Sequence, residues 1–261
     1  MKKIRRTSTH SSFFIRASLI AVVLAIAVNV LANIAPFNGM TTGEISDLYP
    51  LSLTPLGYVF SIWALIYIGL MAYVAYAMSG KLKHLHSGFF ILCIVSCVAN
   101  SGWILAWHSH QLCLSMIFML ILLFALIRMN ESFFYVKCKR IREYMFVRVP
   151  FQIYLAWITF ATVLNIGALF YGYGITFDGM TAELFAITTL GLVTYFTTTA
   201  TLRYKSIPFA LVVAWAACGI VLKSSITLGV ALSAALVVGW HLLLVLHLLK
   251  QYNQKQLSQM L

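Results

Sequence analysis

Aromatic and amide side chains recur at helical spacing in the apolar stretches of this chain. Phe60, Trp63 and Tyr67 fall at positions i, i+3 and i+7, so one side of a helix would carry all three. Trp157 and Asn165 lie two helical turns apart and would also share a face. Flat hydrophobic molecules stack on such rings, and a single amide can fix their orientation. The chemistry that these residue types predict is therefore the binding of a flat hydrophobic ligand.

A third apolar stretch carries the same combination of residue types. Asn100, Trp103 and Trp107 share one face of a predicted helix. An amide that faced lipid would cost free energy, so Asn100 and Asn165 are both expected to point into a helical bundle. Two interpretations stay open: the amides line a ligand cleft, or they only join helices, with each interhelical hydrogen bond contributing about 0.6–2 kcal/mol.

The elements that position these residues belong to a chain that is too apolar for a water-soluble domain. Of its 261 residues, 62% are hydrophobic and 9% are charged, and its mean hydropathy is +0.93. Soluble domains carry about 25% charged residues. The apolar segments are continuous rather than alternating, which argues for helices and against a β-barrel. The sequence predicts an all-α, polytopic transmembrane helical bundle.

About eight apolar segments are long enough to cross a hydrocarbon core of ~30 Å, which takes ~20 helical residues. Pro55 is expected in the first turn of the second segment, where its missing N–H would have no partner. A polar segment at 38–50 precedes this second apolar segment and is expected to cap a binding cleft. The predicted spans are 17–35, 54–76, 87–107, 112–128, 149–171, 184–202, 207–222 and 226–249.

The charge pattern predicts the orientation in the membrane. The 18 Lys and Arg against 6 Asp and Glu give a net charge of +12, and basic residues of membrane proteins collect on cytoplasmic loops. With the N-terminus in the cytoplasm, every Lys and Arg except Lys223 falls inside, whereas Glu44, Asp47, Asp178 and Glu183 fall outside. We expect a multi-pass protein of the cell membrane with both termini cytoplasmic, membrane lipids as partners and no nucleic acid partner.

Other groupings of reactive residues carry less information. His108, His110 and Cys113 cluster at an outer turn without a fourth ligand, so no metal site is predicted. His241 and His247 point to different faces of the last span. No Asp or Glu lies deep in a span, which weighs against coupled transport. No acid, base and nucleophile can be assembled on one side of the bilayer, so no enzyme is predicted.

Three motifs in the right order resemble the TspO/MBR family, the translocator or tryptophan-rich sensory proteins. The fifth span contains IYLAWITFATVLN at 153–165, which looks like the fifth helix of that family. The second span contains TPLGYVFSIWALIY, similar to the family's Pro-Pro-x-Trp-Val-Phe segment, and the third contains ANSGWILAW, similar to its Asn-x-x-Trp motif. The resemblance covers about 17–173. Leu169 departs from it, because the family often places a Trp there.

The resemblance implies a five-helix bundle with a ligand cleft near one membrane face, covered by the first loop. It also implies a hydrophobic small molecule as ligand, such as a porphyrin or a sterol. No cofactor is required, a porphyrin or haem is the candidate guest, and a homodimer stays open. Together with the ring pattern, it gives ten candidate ligand-binding residues: Pro55, Tyr58, Phe60, Trp63, Tyr67, Asn100, Trp103, Trp107, Trp157 and Asn165.

The predicted domains follow from this resemblance and from the spans. The function that they indicate is a membrane sensory or translocator-like protein that binds a tetrapyrrole or sterol-like ligand, with a regulatory or transport role. The alternative is a secondary transporter of a small neutral or amphipathic solute, favoured by the Thr-rich sixth span and the short seventh. The domains are a basic cytoplasmic N-terminus (1–16), a TspO/MBR-like five-helix domain (17–173), three additional helices without a counterpart in the five-helix fold (174–249) and a cytoplasmic tail (250–261).

Overall fold

The computed structural model describes residues 8–82, 84–134, 140–223 and 225–260. It is 82% helical, and these residues contain no strand. A 3₁₀ turn at Gly57–Ser61 and a π-helical turn at Tyr144–Arg148 interrupt the α-helices. The α-helices are α1 (Ser8–Ile34), α2 (Thr42–Asp47), α3 (Ile62–Met78), α4 (Ser87–His108), α5 (Leu112–Ser132), α6 (Ile141–Glu143), α7 (Val149–Gly172), α8 (Gly179–Tyr204), α9 (Ile207–Val221) and α10 (Leu228–Met260).

Seven helical stretches in the described part of the chain are long and apolar enough to cross a membrane, and α9 is a shorter apolar helix. They follow the order of the eight predicted spans. The prediction of an all-α polytopic bundle is therefore confirmed. Some of the predicted basic residues lie outside the described residues, namely Lys2, Lys3, Arg5, Arg6, Lys83, Lys137 and Lys139.

The second span begins later than the sequence predicted. The backbone of Leu56 is extended (φ −56°, ψ 147°), and α3 begins only at Ile62, after the 3₁₀ turn. The Leu56 N–H donates to the carbonyl of Gly219 at 3.1 Å rather than facing the open first turn of a helix. The predicted α-helical start at Thr54 is therefore wrong. Phe60 lies in the 3₁₀ turn and does not share an α-helix with Trp63.

The predicted polar segment 38–50 contains the short helix α2. The Thr41 N–H donates to Glu44 Oε2 at 2.7 Å, and the Glu44 N–H donates to Thr41 Oγ1 at 3.3 Å. This reciprocal arrangement is a capping box, which satisfies two N–H groups at the start of a helix. The Thr41 N–H and the Thr41 hydroxyl both donate to the Glu44 carboxylate, and these hydrogen bonds lower the pKa of that carboxyl.

The chain forms two compact units, and the first comprises residues 1–45 and 63–154. In this unit α4 packs against both α1 and α5. Small residues allow the close contacts: a Cβ on Gly102 would meet the Phe118 ring at 2.6 Å, and one on Gly69 would meet Pro150 at 3.0 Å. Asn130 Nδ2 donates to the carbonyls of its own helix and of Phe151.

The second unit comprises residues 46–62 and 155–261. In it, α10 packs against α9 and α8, and α9 packs against the 3₁₀ turn. The close approach of α9 to this turn requires Gly219, because a Cβ there would meet Val59 Cγ2 at 2.1 Å. The boundary predicted at 173 between a five-helix and a three-helix domain stays a prediction.

Candidate functional site

Four aromatic rings of the first unit form a stack, which we call the ring column: Tyr67, Trp63, Trp103 and Trp107. The Trp63 ring lies 5.6 Å from that of Tyr67 at 25° and 5.9 Å from that of Trp103 at 26°. Trp103 and Trp107 are 6.2 Å apart at 22°. Since α3 and α4 each contribute two rings at i, i+4 spacing, each helix presents a ladder and the ladders meet at Trp63 and Trp103.

The ring column lies inside the unit. Trp63 is 8% exposed, and Trp103 and Trp107 are 4% exposed. The Tyr154 ring packs edge-on against Trp63, with centroids 6.0 Å apart. At the end of the column, Trp107 Nε1 donates to the carbonyl of Thr42 in α2 at 3.3 Å. The column therefore runs from the second turn of α3 to the polar segment 38–50, which was predicted to cap the cleft and which we call the lid segment.

A buried polar pair lies on α1 and α4 of the same unit. Asn29 Nδ2 donates to Asn100 Oδ1 at 2.5 Å and to the carbonyl of Ala25 at 2.8 Å. Asn100 also interacts with the Tyr154 side chain. In this part of the first unit, and among the residues that the structure describes, Asn29 Oδ1, Asn100 Nδ2 and Trp103 Nε1 are buried and have no hydrogen-bond partner. One unpartnered acceptor and two unpartnered donors cost free energy, and polar groups of a ligand would satisfy them.

The turn after α4 holds the predicted lid segment by side-chain contacts. Asn38 Nδ2 donates to the carbonyl of His108 at 2.7 Å and lies 3.3 Å from His110 Nε2. Thr42 Oγ1 lies 3.2 Å from His108 Nε2. Within the described ranges, no group of three or more His, Cys, Asp or Glu side chains comes together. The histidines of this turn thus contact the lid segment.

The second unit holds the other half of the candidate residues. The Phe60 ring packs edge-on against Trp157 with centroids 5.8 Å apart, and Trp157 stacks on Phe160 at 6.2 Å. Tyr58 packs edge-on against Trp215 of α9 at 5.2 Å. Asn165 is buried on α7, and Pro55 lies against Gly219.

The ten candidate residues are therefore divided equally between the units. The ring contacts of the first unit join Trp63, Tyr67, Trp103 and Trp107, and Asn100 lies on the same helix as the last two. Around the ring column, the sequence reasoning missed Asn29 and Tyr154. An amide in the first span and an aromatic residue in the fifth span were the signals available, but only contacts across helices single out these two.

The sequence reasoning also missed a cavity of about 610 Å³ in the second unit, which we call the α7–α8 cavity. Residues 50–53, α7, residues 175–178 and α8 line it. None of the ten candidate residues is among its lining residues. Its volume lies in the range of about 300–1,000 Å³ that is typical of small-molecule sites.

Comparisons with known proteins identify one family. The family model described as TSPO-like protein matches residues 15–249. The match therefore runs through all eight predicted spans, including the last three. None of the curated proteins and none of the solved structures compared with the chain matches it.

Proposed function

Because the chain belongs to the TSPO-like protein family, we propose that it is an integral membrane receptor for a flat hydrophobic ligand. The ligand is tetrapyrrole-like or sterol-like, and it stacks on the ring column of the first unit. The role that follows from binding is regulatory or transport-related. A family match and a bundle of membrane-spanning helices support the first part of this proposal, and the ring column supports the second.

The observation that carries the proposal is the near-parallel stacking of four rings. Successive planes in the ring column differ by only 22–26°. At centroid distances of 5.6–6.2 Å the rings are offset-stacked, one of the two arrangements that aromatic pairs prefer, and their faces share one orientation, as stacking on a flat ligand requires. The three indoles, those of Trp63, Trp103 and Trp107, offer the largest such faces, and all three are buried.

The unpartnered polar atoms support a ligand with one polar group. Trp103 Nε1 can donate, and Asn29 Oδ1 can accept. A carboxyl, hydroxyl or carbonyl on the rim of a flat molecule can use one or both. Such a contact would orient the ligand, since the stacking faces alone do not distinguish its edges.

The carboxylates of the first unit support binding rather than a chemical reaction. Glu44 is engaged in the capping box, Glu143 Oε1 lies 3.0 Å from His84 Nε2, and Glu131 pairs with Arg128. Each thus has a partner on its own or a neighbouring element. Proton transfer to a ligand at the ring column would require a group that is free to give or take a proton.

Titration with protoporphyrin IX tests the proposal. The purified chain in detergent should show saturable quenching of tryptophan fluorescence and a shift of the porphyrin Soret band. The double variant Trp63→Leu, Trp103→Leu removes two stacking faces and should weaken binding at least about tenfold. The double variant Trp215→Leu, Trp240→Leu removes the same number of fluorophores from the second unit and should bind as the wild type does. Equal binding by both variants would refute the proposed site.

A further inference from the structure

The α7–α8 cavity of the second unit has features of a second binding site, separate from the ring column. We propose that it binds a lipophilic cation, that is, an ammonium or phosphonium group carried by an apolar body. The proposal does not rest on the proposed function, because it concerns other residues and another ligand class. Its evidence is the apolar wall of the cavity and the charge at its rim.

The wall of the cavity is mostly apolar and in part aromatic. Leu164 and Phe170 of α7 and Phe196 of α8 are among its lining residues. At one end, the rings of Phe177 and Phe185 stack with centroids 4.5 Å apart and planes at 17°. Aromatic faces attract cations as well as apolar groups, and a desolvated contact of this kind contributes more than an exposed one.

Among the described residues that line the cavity, Asp178 is the only charged one. It immediately precedes α8, but its side chain makes no capping hydrogen bond to that helix. Its main-chain carbonyl accepts hydrogen bonds from the N–H and the hydroxyl of Thr181 instead. The carboxylate is thus not used to start the helix, and it stands beside Phe177 at the rim of the cavity. A negative rim favours a cationic ligand and disfavours a carboxylate or a phosphate.

Lys223 contacts the wall of the cavity but does not reverse the charge there. Lys223 Nζ donates to the carbonyls of Leu51 and Thr54 at 3.3 and 3.2 Å, and Asp47 interacts with it electrostatically. Lys223 is not among the lining residues. Its ammonium therefore holds the segment that forms one wall, and Asp47 offsets its charge in part.

Glu183 in the first turns of α8 supplies a matched comparison. Glu183 lies within two turns of Asp178, but its carboxylate is directed at Gly229 of α10: a Cβ on Gly229 would meet Glu183 Oε1 at 2.0 Å. Glu183 does not line the cavity. Neutralising Asp178 and neutralising Glu183 change the net charge equally, and only the first change removes the charge at the cavity.

Equilibrium dialysis of tritiated tetraphenylphosphonium against the purified full chain in detergent micelles tests the proposal. Wild type and Glu183→Gln should bind it saturably and alike, and Asp178→Asn should bind about fivefold more weakly, as expected for a partly exposed charge pair. Ala182→Trp places an indole in the cavity and should weaken saturable binding, whereas Leu184→Trp, on an exposed position of the same helix, should leave it unchanged.

Tetraphenylborate, measured separately, has nearly the same shape and the opposite charge. It should show no saturable binding to the wild-type chain. Equal saturable binding of both ions, or binding of tetraphenylphosphonium that Asp178→Asn and Ala182→Trp leave unchanged, would overturn the proposal, as would the lack of saturable binding by the wild type. Porphyrin titration of the same variants reports on the ring column, so failure of one site is distinguishable from failure of the other.

Discussion

Trp63 of α3 and Trp103 of α4 stack with their ring centroids 5.9 Å apart and their planes at 26°. This contact joins the two aromatic ladders of the first unit into one column. It also leaves Trp103 Nε1 buried with no hydrogen-bond partner among the described residues. A buried donor without a partner lowers the stability of the fold. The same indole, with its large face and its free N–H, is well suited to holding a flat ligand with a polar edge.

Substitutions of Trp103 should separate its structural role from its binding role. Trp103→Ala opens a cavity in the buried column and should lower the free energy of unfolding by about 3–5 kcal/mol. Trp103→Phe keeps a ring, leaves a smaller cavity and removes the unsatisfied donor, so it should cost less than Trp103→Ala while weakening protoporphyrin IX binding. Unfolding in detergent and porphyrin titration measure the two effects. Tight binding by Trp103→Phe would mean that the indole donor has no role.

The pair formed by His241 and Thr197 should contribute to stability in the second unit. His241 is fully buried, its Nδ1 lies 2.9 Å from the Val237 carbonyl and its Nε2 lies 3.0 Å from Thr197 Oγ1. Thr197→Val leaves the ring nitrogen without that partner and should lower the free energy of unfolding by about 1–3 kcal/mol.

Thr199→Val is the control for this substitution, because Thr199 is exposed and its hydroxyl bonds only to its own helix, at the Tyr195 carbonyl. It should change the free energy of unfolding by no more than about 0.5 kcal/mol. Equal changes in the free energy of unfolding for Thr197→Val and Thr199→Val would show that the hydrogen bond between Thr197 and His241 contributes nothing to stability.

Lys223 should make the stability of the second unit depend on pH in the alkaline range. Burial lowers the pKa of its ammonium below the ordinary value of 10.5, and Asp47 opposes this in part. The unfolded chain therefore binds more protons than the folded chain between the two pKa values, so the free energy of unfolding rises with pH across that interval. Thermal unfolding of the wild type and of Lys223→Met at several pH values measures this.

The difference in the free energy of unfolding between wild type and Lys223→Met should grow as the pH rises from the lowered pKa of Lys223 toward 10.5. At pH values below that lowered pKa, the difference should stay constant. At neutral pH the variant should be less stable by about 1 kcal/mol, because two backbone carbonyls lose their donor and the charge is half-exposed. A difference that falls as the pH rises would contradict the assignment of desolvation as the main cause.

Gly219 should be intolerant of any side chain. Gly219→Ala places a Cβ where Val59 Cγ2 would lie at 2.1 Å, so α9 or the 3₁₀ turn must shift, at a cost of about 1–3 kcal/mol. Gly191→Ala is the control, because nothing lies within 4 Å of its added Cβ and the better helix propensity of Ala should stabilise it slightly. Thermal unfolding of both variants measures the contrast.

The sequence was sufficient to predict the spans and the aromatic ladders within helices. In lipid, a run of about 20 apolar residues satisfies its backbone hydrogen bonds by forming a helix. The four-residue spacing of Trp103 and Trp107 places both on one face of α4. Neither property depends on which helices are neighbours. The orientation with cytoplasmic termini rests on the distribution of Lys and Arg and stays a prediction.

Contacts between helices that are distant in the chain could not be predicted from the sequence. The stacking of Trp63 on Trp103 depends on the rotation of α3 and α4 about their axes, which the pattern of apolar residues around a lipid-exposed helix leaves open. The late start of α3 depends on a hydrogen bond from Leu56 to Gly219, which lies far along the sequence. The α7–α8 cavity depends on space between helices, for which spacing gives no signal.

The most direct test of the ring column as a ligand site is ¹⁹F NMR of the chain labelled with 5-fluorotryptophan. Single Trp→Phe variants assign the six tryptophan signals, and protoporphyrin IX supplies a large ring current that shifts only the fluorines near its plane. Titration should shift the signals of Trp63 and Trp103 and leave that of the exposed Trp240 in place. Saturable porphyrin binding that shifts neither Trp63 nor Trp103 would contradict the proposed site.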